Sequence, residues 1–472
     1  MTKPDDKERV QDGSEEEGGR KEEERTSRFA PVFSQFRTSI DALREFFSRL
    51  TPLVSDMETG IAEERQQRIR DVMASLGERV DEKQSEDLIR FGEWISDTVS
   101  SDTKERSFSF EGDVPTDLFI EILKAVLERP PSPAHHELLN RSILMSLVGY
   151  FEVVVSDLAH AFYTLAPGAT SNDDKALSVN ELKTFGSMDE AMEFVISQRV
   201  DDLLRGSVDD WHKFFSTRMN IDLHDIVPDW PQWSEMFQRR HVIVHAGGKV
   251  TRRYLEKVDW DKVKWPSPTP SPASLLPVED EYVVRALDLF EIAGMVLCQE
   301  VARKLAPEEP GRLDALLDTV YRRLKSGHWY VAEHVSQWGE NDPDTDEIKA
   351  LMFRFNRWLT IKRQGRWEEI ESEVETFDCS AKHPRFSLAL ACLKEAADKF
   401  FGELPGALAS GLSPGDLRDW PIFEEIRSDK RFQPALAKAE RQARKPASRR
   451  RHAKRKVTKV HVREVRPEQS ES

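Results

Sequence analysis

The stretch "LLNRSILMSLVGYFEVVVSDLAHAFYTL", residues 138 to 165, decides the fold class. It is a long apolar run of helix-compatible residues, and "RPPSPAHH" just before it stops whatever helix precedes. Its few polar residues, Glu152, Asp157 and His160, stand out against that background. Upstream, Phe29, Phe33, Phe36, Ile40, Leu43, Phe47, Leu50 and Val54 recur at alternating spacings of four and three. This is the stripe of a helix that buries one narrow face. Because it is short and rich in Phe, it should pack on the protein's own helices, with self-association as the alternative. A second helical stretch is read from Ile61 to Val99, a polar linker after it, and a short helix from Leu118 to Leu127. Downstream, helices are expected at Met188–Leu204, Trp211–Arg218 and Trp230–His245. After the Pro-Ser run "WPSPTPSPASLLP" another follows from Val278 to Leu305. No sustained two-residue alternation occurs, so the fold is expected to be all-α.

Length and composition set the bounds. With 472 residues the chain should hold two or three domains. The three cysteines, Cys298, Cys379 and Cys392, form no C-x-x-C pair and are read as buried small hydrophobes, which argues against a disulfide or zinc framework. No apolar run approaches the roughly 18 residues needed to cross a bilayer, and the N-terminus lacks the apolar core of a secretory signal, so a soluble, cytoplasmic protein without a membrane partner is expected. Residues 1–27 have the composition of a disordered acidic leader. At the other end, thirteen Lys or Arg between Lys438 and Arg466 face only two Glu, although the whole chain carries −16. This stretch, assigned as a disordered basic tail over residues 437–472, either holds RNA or another polyanion through phosphate contacts or folds back on the acidic body. It has no aromatic residue on which a base could stack.

"RRHVIVHAGG", residues 239 to 248, sets two histidines four apart behind two arginines and ends on two glycines. A zinc site of the H-E-x-x-H kind fails, because Val242 follows His241 and no nearby third ligand is apparent. Two readings remain: an ordinary helix end whose histidines cap and fill, or a catalytic cluster. If Gly247 and Gly248 end the helix, His245 lies at its negative C-terminal end, which favours the imidazolium.

The long helix with "YFEVVVSDL", the shorter helices, then "RRHVIVHAGGKVTRRYLEKV" with Tyr254, and a final helix resemble the HEPN superfamily, in its branch related to RiboL-PSP-type domains. The resemblance covers about residues 138–305. It implies a helical bundle and, in many members, a metal-independent endoribonuclease marked by an Arg, four to six residues, and a His. On that pattern Arg240 matches the motif arginine, His241 the polar residue after it and His245 the terminal histidine. Glu152 matches a polar residue of the long helix that faces the site. The resemblance thus implies Arg240, His245, His241 and Glu152 as catalytic, with no metal and no cofactor. It implies RNA as the partner, in bacterial defence, toxin-antitoxin or stress responses. Arg239 and Lys249 beside the motif, and Arg449, Arg450, Arg451, Lys454, Arg455 and Lys456 in the tail, are assigned to RNA contact. The chemistry suits these types: a histidine moves protons near neutral pH and an arginine clamps a phosphate. On one straight helix Arg240 and His245 diverge by about 140°, and the family's usual answer is a homodimer that sets two motif helices face to face. The Pro-Ser run looks like an insertion outside the motif.

Residues 311–436 read as a separate tetratricopeptide-like array: one helix pair turning at Gly365, a second closing at Gly411, and a capping turn in "DLRDWPIFEEIRSDKRF". Leu359, Trp367, Ala389 and Ala391 carry that likeness, and Trp329, Trp338, Trp358 and Trp367 are expected in the core. Such an array offers a surface for a protein partner. Hence the alternative to the nuclease is a non-catalytic helical adaptor, or a protein that binds RNA or nucleotide without cutting.

Overall fold

The computed structural model describes residues 28–76, 134–166, 177–264 and 268–444, with isolated positions elsewhere. The leader, the linker, most of the Leu118–Leu127 helix, and the tail beyond Arg444 lie outside the described residues. Among the described residues the protein is all-α, and the one extended pairing is an isolated antiparallel bridge between Lys249 and Leu275. Two compact units divide at Ile370 and Glu371. The array read over residues 311–436 therefore falls on both sides of that division.

The first unit is built on α1 (Phe29–Leu76), α2 (His135–Leu165), α3 (Met188–Leu204), α4 (Val208–Met219), α5 (Trp230–Ala246), α6 (Arg252–Lys257) and α7 (Asp280–Leu305). It continues into α8 (Arg312–Ser326), α9 (Trp329–Asn341) and α10 (Glu347–Arg363). The Phe stripe of α1 faces inward: Phe29, Phe33, Phe36, Ile40, Leu43 and Phe47 are all buried, against α2 and α7. The break expected before Ile61 is absent, since the helix runs through Pro52 and Gly60 to Leu76. Each residue lowers helix propensity, but neither supplies a left-handed terminating turn.

Phe151 of α2 sits where the helices converge. Its ring lies 6.5 Å from Phe36, 6.1 Å from Trp211, 5.1 Å from Trp233 and 5.6 Å from Phe290, one aromatic each from α1, α4, α5 and α7. These edge-to-face and tilted contacts add to the burial of the rings themselves. Gly294 of α7 lets α1 approach, because a Cβ there would collide with the Phe36 ring.

The α2 helix is long and apolar enough to cross a bilayer, with mean hydropathy 1.6, contrary to the reading that no run comes close. Half of that window is buried inside the protein, which gives its apolar character a use in packing. Two polar ties fix its start. Glu58 of α1 accepts from the backbone N–H of His136 at 3.0 Å, and buried Asn140 donates to the Val278 carbonyl at 2.8 Å.

Where α1, α7 and α8 meet, charge takes the place of hydrocarbon. Fully buried Glu291 accepts from Arg44 Nε at 2.9 Å and from Arg323 Nε; Arg44 also reaches Asp288 at 2.6 Å, and Arg323 reaches Asp41. A carboxylate held between two guanidinium groups answers the desolvation that an isolated buried charge would suffer.

The second unit contains α11 (Pro384–Leu393), α12 (Ala397–Ala409) and α13 (Phe432–Arg444) around its own aromatic core of Phe386, Phe400, Trp420 and Phe423. Gly411 closes the α12 end with φ 102°, and a short helix, Pro414–Asp419, and two 3-10 turns, Pro421–Phe423 and Glu425–Ser428, follow. The partner expected after Gly365 shrinks to a 3-10 turn, Trp367–Glu369, and a short helix, Glu371–Thr376. The stretch 437–444, read as the start of the tail, is helical within α13, where Phe432, Leu436 and Ala439 are buried at helical spacing. Trp358 is fully buried, whereas Trp329, Trp338 and Trp367 are only partly so. Cys298 is buried, and its thiol is pushed up by burial; Cys379 and Cys392 are half-buried, and none of the three is joined in a disulfide.

Candidate functional site

The motif lies on α5, and local sequence explains both its ends. Asp229 caps the start by accepting from the Gln232 N–H, and Pro231 occupies the first turn, where its missing N–H costs nothing. At the far end Gly247 and Gly248 take φ of 62° and 86°, and the Gly248 N–H returns to the Val242 carbonyl at 3.1 Å. A Cβ at Gly248 would lie 2.5 Å from Nη2 of Arg141 on α2, the far end of a flexible side chain. The left-handed backbone is what calls for glycine here.

The Pro-Ser segment returns to the motif. Leu275 pairs with Lys249, the Val250 N–H donates to the Ser274 carbonyl and the Leu276 N–H to the Gly248 carbonyl, both at 2.9 Å. A small core of Val242, Val250, Tyr254, Val258 and Leu276 fixes this segment beneath the helix end. The supposed insertion is therefore part of the motif's support, which corrects the view that it lies apart.

One edge of α5 faces outward. His241 and His245 are exposed one turn apart, with ring centroids 4.5 Å from each other. Arg240 is half-buried, and its Nη2 lies 3.9 Å from Oε1 of Glu152, which projects from α2 beside the inward-facing Phe151. At that separation, with both side chains about a third exposed, the pair is loose. The His241 imidazole is held below its ordinary value, first by partial desolvation, then by His245 and the cations Arg253 and Arg240. Exposed Lys249 and Arg253 add positive charge around this edge. Four residues read from the sequence, Glu152, Arg240, His241 and His245, are thereby placed on neighbouring surface of two helices.

Arg239 is not among them. Expected to contact RNA, it is 2% exposed: its Nε donates to Glu235 at 2.8 Å, its Nη1 donates to the Pro277 carbonyl, and its guanidinium lies 3.8 Å over the Tyr282 ring. Glu235 also accepts from Gln232 at 3.0 Å, Tyr254 at 2.5 Å and Tyr282 at 2.7 Å. A buried carboxylate with four donors, one cationic, is a structural anchor. Burial, and the neighbouring carboxylate, push the Tyr254 phenol far up. The signal was present: Arg239 lies four residues after Glu235 on the face that carries Trp233 and Met236, so it points into the core. Arg449, Arg450, Arg451, Lys454, Arg455 and Lys456 lie outside the described residues.

A further trio escaped the sequence reading. His212, Asp222 and His224 bring three metal-ligating groups within 4.8 Å of one another near the start of α5, and the only sequence sign is the D-x-H of "DLHD". No family model, curated protein or solved structure matches the chain.

Proposed function

We propose that the protein is a metal-independent endoribonuclease of HEPN type. The observation that carries this reading is the exposed His241–His245 pair on the same helix as Arg240, with Glu152 beside that arginine. In this scheme His241, kept towards its neutral form by its surroundings, takes the proton of the ribose 2′-hydroxyl as that oxygen attacks the adjacent phosphorus. Arg240, only loosely held by Glu152, swings to the phosphate and stabilises the added negative charge. His245 returns a proton to the departing 5′-oxygen, so the products are a 2′,3′-cyclic phosphate and a 5′-hydroxyl. No water is consumed and no metal is called for. Assembly as a homodimer through the motif helices belongs to the same proposal, as do defence or stress response as its setting and the cytoplasm as its location.

The test is to incubate full-length protein and its His245→Ala variant with total RNA in EDTA and to identify the new ends. Cleavage by the wild type alone, leaving cyclic phosphates, supports the nuclease. Binding without cleavage in both would favour the adaptor or a non-cutting RNA-binding protein.

A further inference from the structure

Helix α4 ends at Asn220, which takes a left-handed φ of 53° and reverses the chain; the Ile221 N–H then donates to the Phe215 carbonyl at 3.1 Å. This turn carries Asp222 and His224 back over His212, which projects from the body of α4. The His212 and His224 rings lie 4.5 Å apart, and Nδ1 of His212 is 3.6 Å from Oδ1 of Asp222. That Nδ1 is buried and has no hydrogen-bond partner, an uncommon condition for an imidazole nitrogen. The other two groups are already oriented. Asp222 Oδ1 accepts the His224 N–H at 2.8 Å, which leaves Oδ2 available, and the His224 ring stacks on Trp230 at 4.2 Å with an interplanar angle of 22°.

We propose that His212, Asp222 and His224 form a binding site for a divalent transition-metal ion, with Zn²⁺ as the fitting species. Two imidazoles and one carboxylate match the nitrogen and oxygen donors that Zn²⁺ accepts, whereas Mg²⁺ and Ca²⁺ favour all-oxygen shells. A tetrahedral zinc with bonds of about 2.0–2.1 Å places its donors roughly 3.3–3.4 Å apart. The present spacings, 3.6 Å for one pair and at most 4.8 Å overall, are somewhat wider than that. Three protein ligands leave one position for water or for a donor from a bound molecule. The site is at the Trp230 end of α5, and His245 is about 22 Å further along the helix axis. It therefore stands apart from the catalytic proposal and neither depends on the other.

The experiment uses the full-length chain, stripped with a chelator that is then removed. Zn²⁺ is titrated calorimetrically, and Co²⁺ reports ligand field by its visible absorption. Wild type should take up one tight equivalent, which a large excess of Mg²⁺ does not displace. Asp222→Asn and His224→Gln should each weaken it by about tenfold or more, at least the effect of losing an outer-shell partner. The His241→Ala/His245→Ala double variant should keep it. Since His224 also packs on Trp230, its variant is checked by circular dichroism. Asp222→Asn carries the decision if that variant unfolds, because Asn caps a helix as well as Asp does. Equal affinity in wild type and Asp222→Asn overturns the site, as does disappearance of the tight equivalent in the double variant or its displacement by Mg²⁺.

Discussion

At the scale of single residues, Glu235 and His241 show how differently neighbours on one helix are constrained. Glu235→Gln removes the charge that balances buried Arg239 and turns an acceptor of four bonds into a mixed donor and acceptor. Breaking such a pair should cost about 3–5 kcal/mol. Urea denaturation is expected to show a lower midpoint at unchanged slope, and a wild-type midpoint would refute the anchor role. His241 is governed by solvent and by nearby cations. On the proposed mechanism, its lowered proton affinity would put the acidic limb of RNA cleavage below the ordinary histidine value, because the base works only when neutral. Replacing exposed Arg253 by Gln removes one cause and should raise that limb, read from the rate profile. The motif was legible, but which of the adjacent arginines faces solvent could be read only from residues outside it. The spacing rule admits both Arg239 and Arg240, and only the register of Glu235 and Trp233 separates them.

Among elements, the packing of α1 on α7 rests on Gly294 and on the ionic cluster. Gly294→Ala drives a methyl into the buried Phe36 ring, whose surroundings leave it nowhere to move. A loss of about 1–3 kcal/mol is expected from such overpacking, measurable as a lower thermal midpoint, whereas Gly247→Ala should act through its left-handed backbone alone. The same junction senses acid. His328 Nδ1 lies 3.4 Å from Arg44, and burial, then Arg44 and Arg323, push this imidazole down to about 4, against the opposing pull of Glu291 and Asp41. A folded value below the unfolded one near 6.5 favours the neutral form in the native state. Stability is then complete above about pH 6.5 and is lost as pH falls towards 4. Allowing for solvent at a half-buried site, the loss is about 1–2 kcal/mol. His328→Asn should flatten the difference between denaturation curves at pH 7 and pH 5, and an unaltered difference would clear His328. Some elements were readable to within a few residues, as with Met188–Leu204, whose start is marked by the capping Ser187. The ionic junction was not, since Arg44, Glu291 and Arg323 meet across a sequence separation that no local pattern encodes.

For the whole molecule, the basic tail and the division at Ile370 matter most. Removing residues 445–472 takes away ten Lys or Arg and leaves α13 whole. If those cations meet RNA phosphates, full-length protein should lose affinity with salt more steeply than the truncated form, by about 0.7 in logarithmic slope for each contact with a single strand. Cleavage positions should stay the same, and equal slopes would mean that the tail never reaches RNA. The helical class was plain from composition and period. The boundary was not, because it is set by which helices pack together and both sides of it are helical. A last consequence follows from the outward edge of α5. His241 and His245 are exposed, whereas Glu235, Arg239 and Tyr254 lie in the interior. One base change in a histidine codon would thus silence the proposed nuclease in a descendant without weakening the scaffold. Active and inert lineages of this protein would share the buried signature and differ at surface positions such as these two.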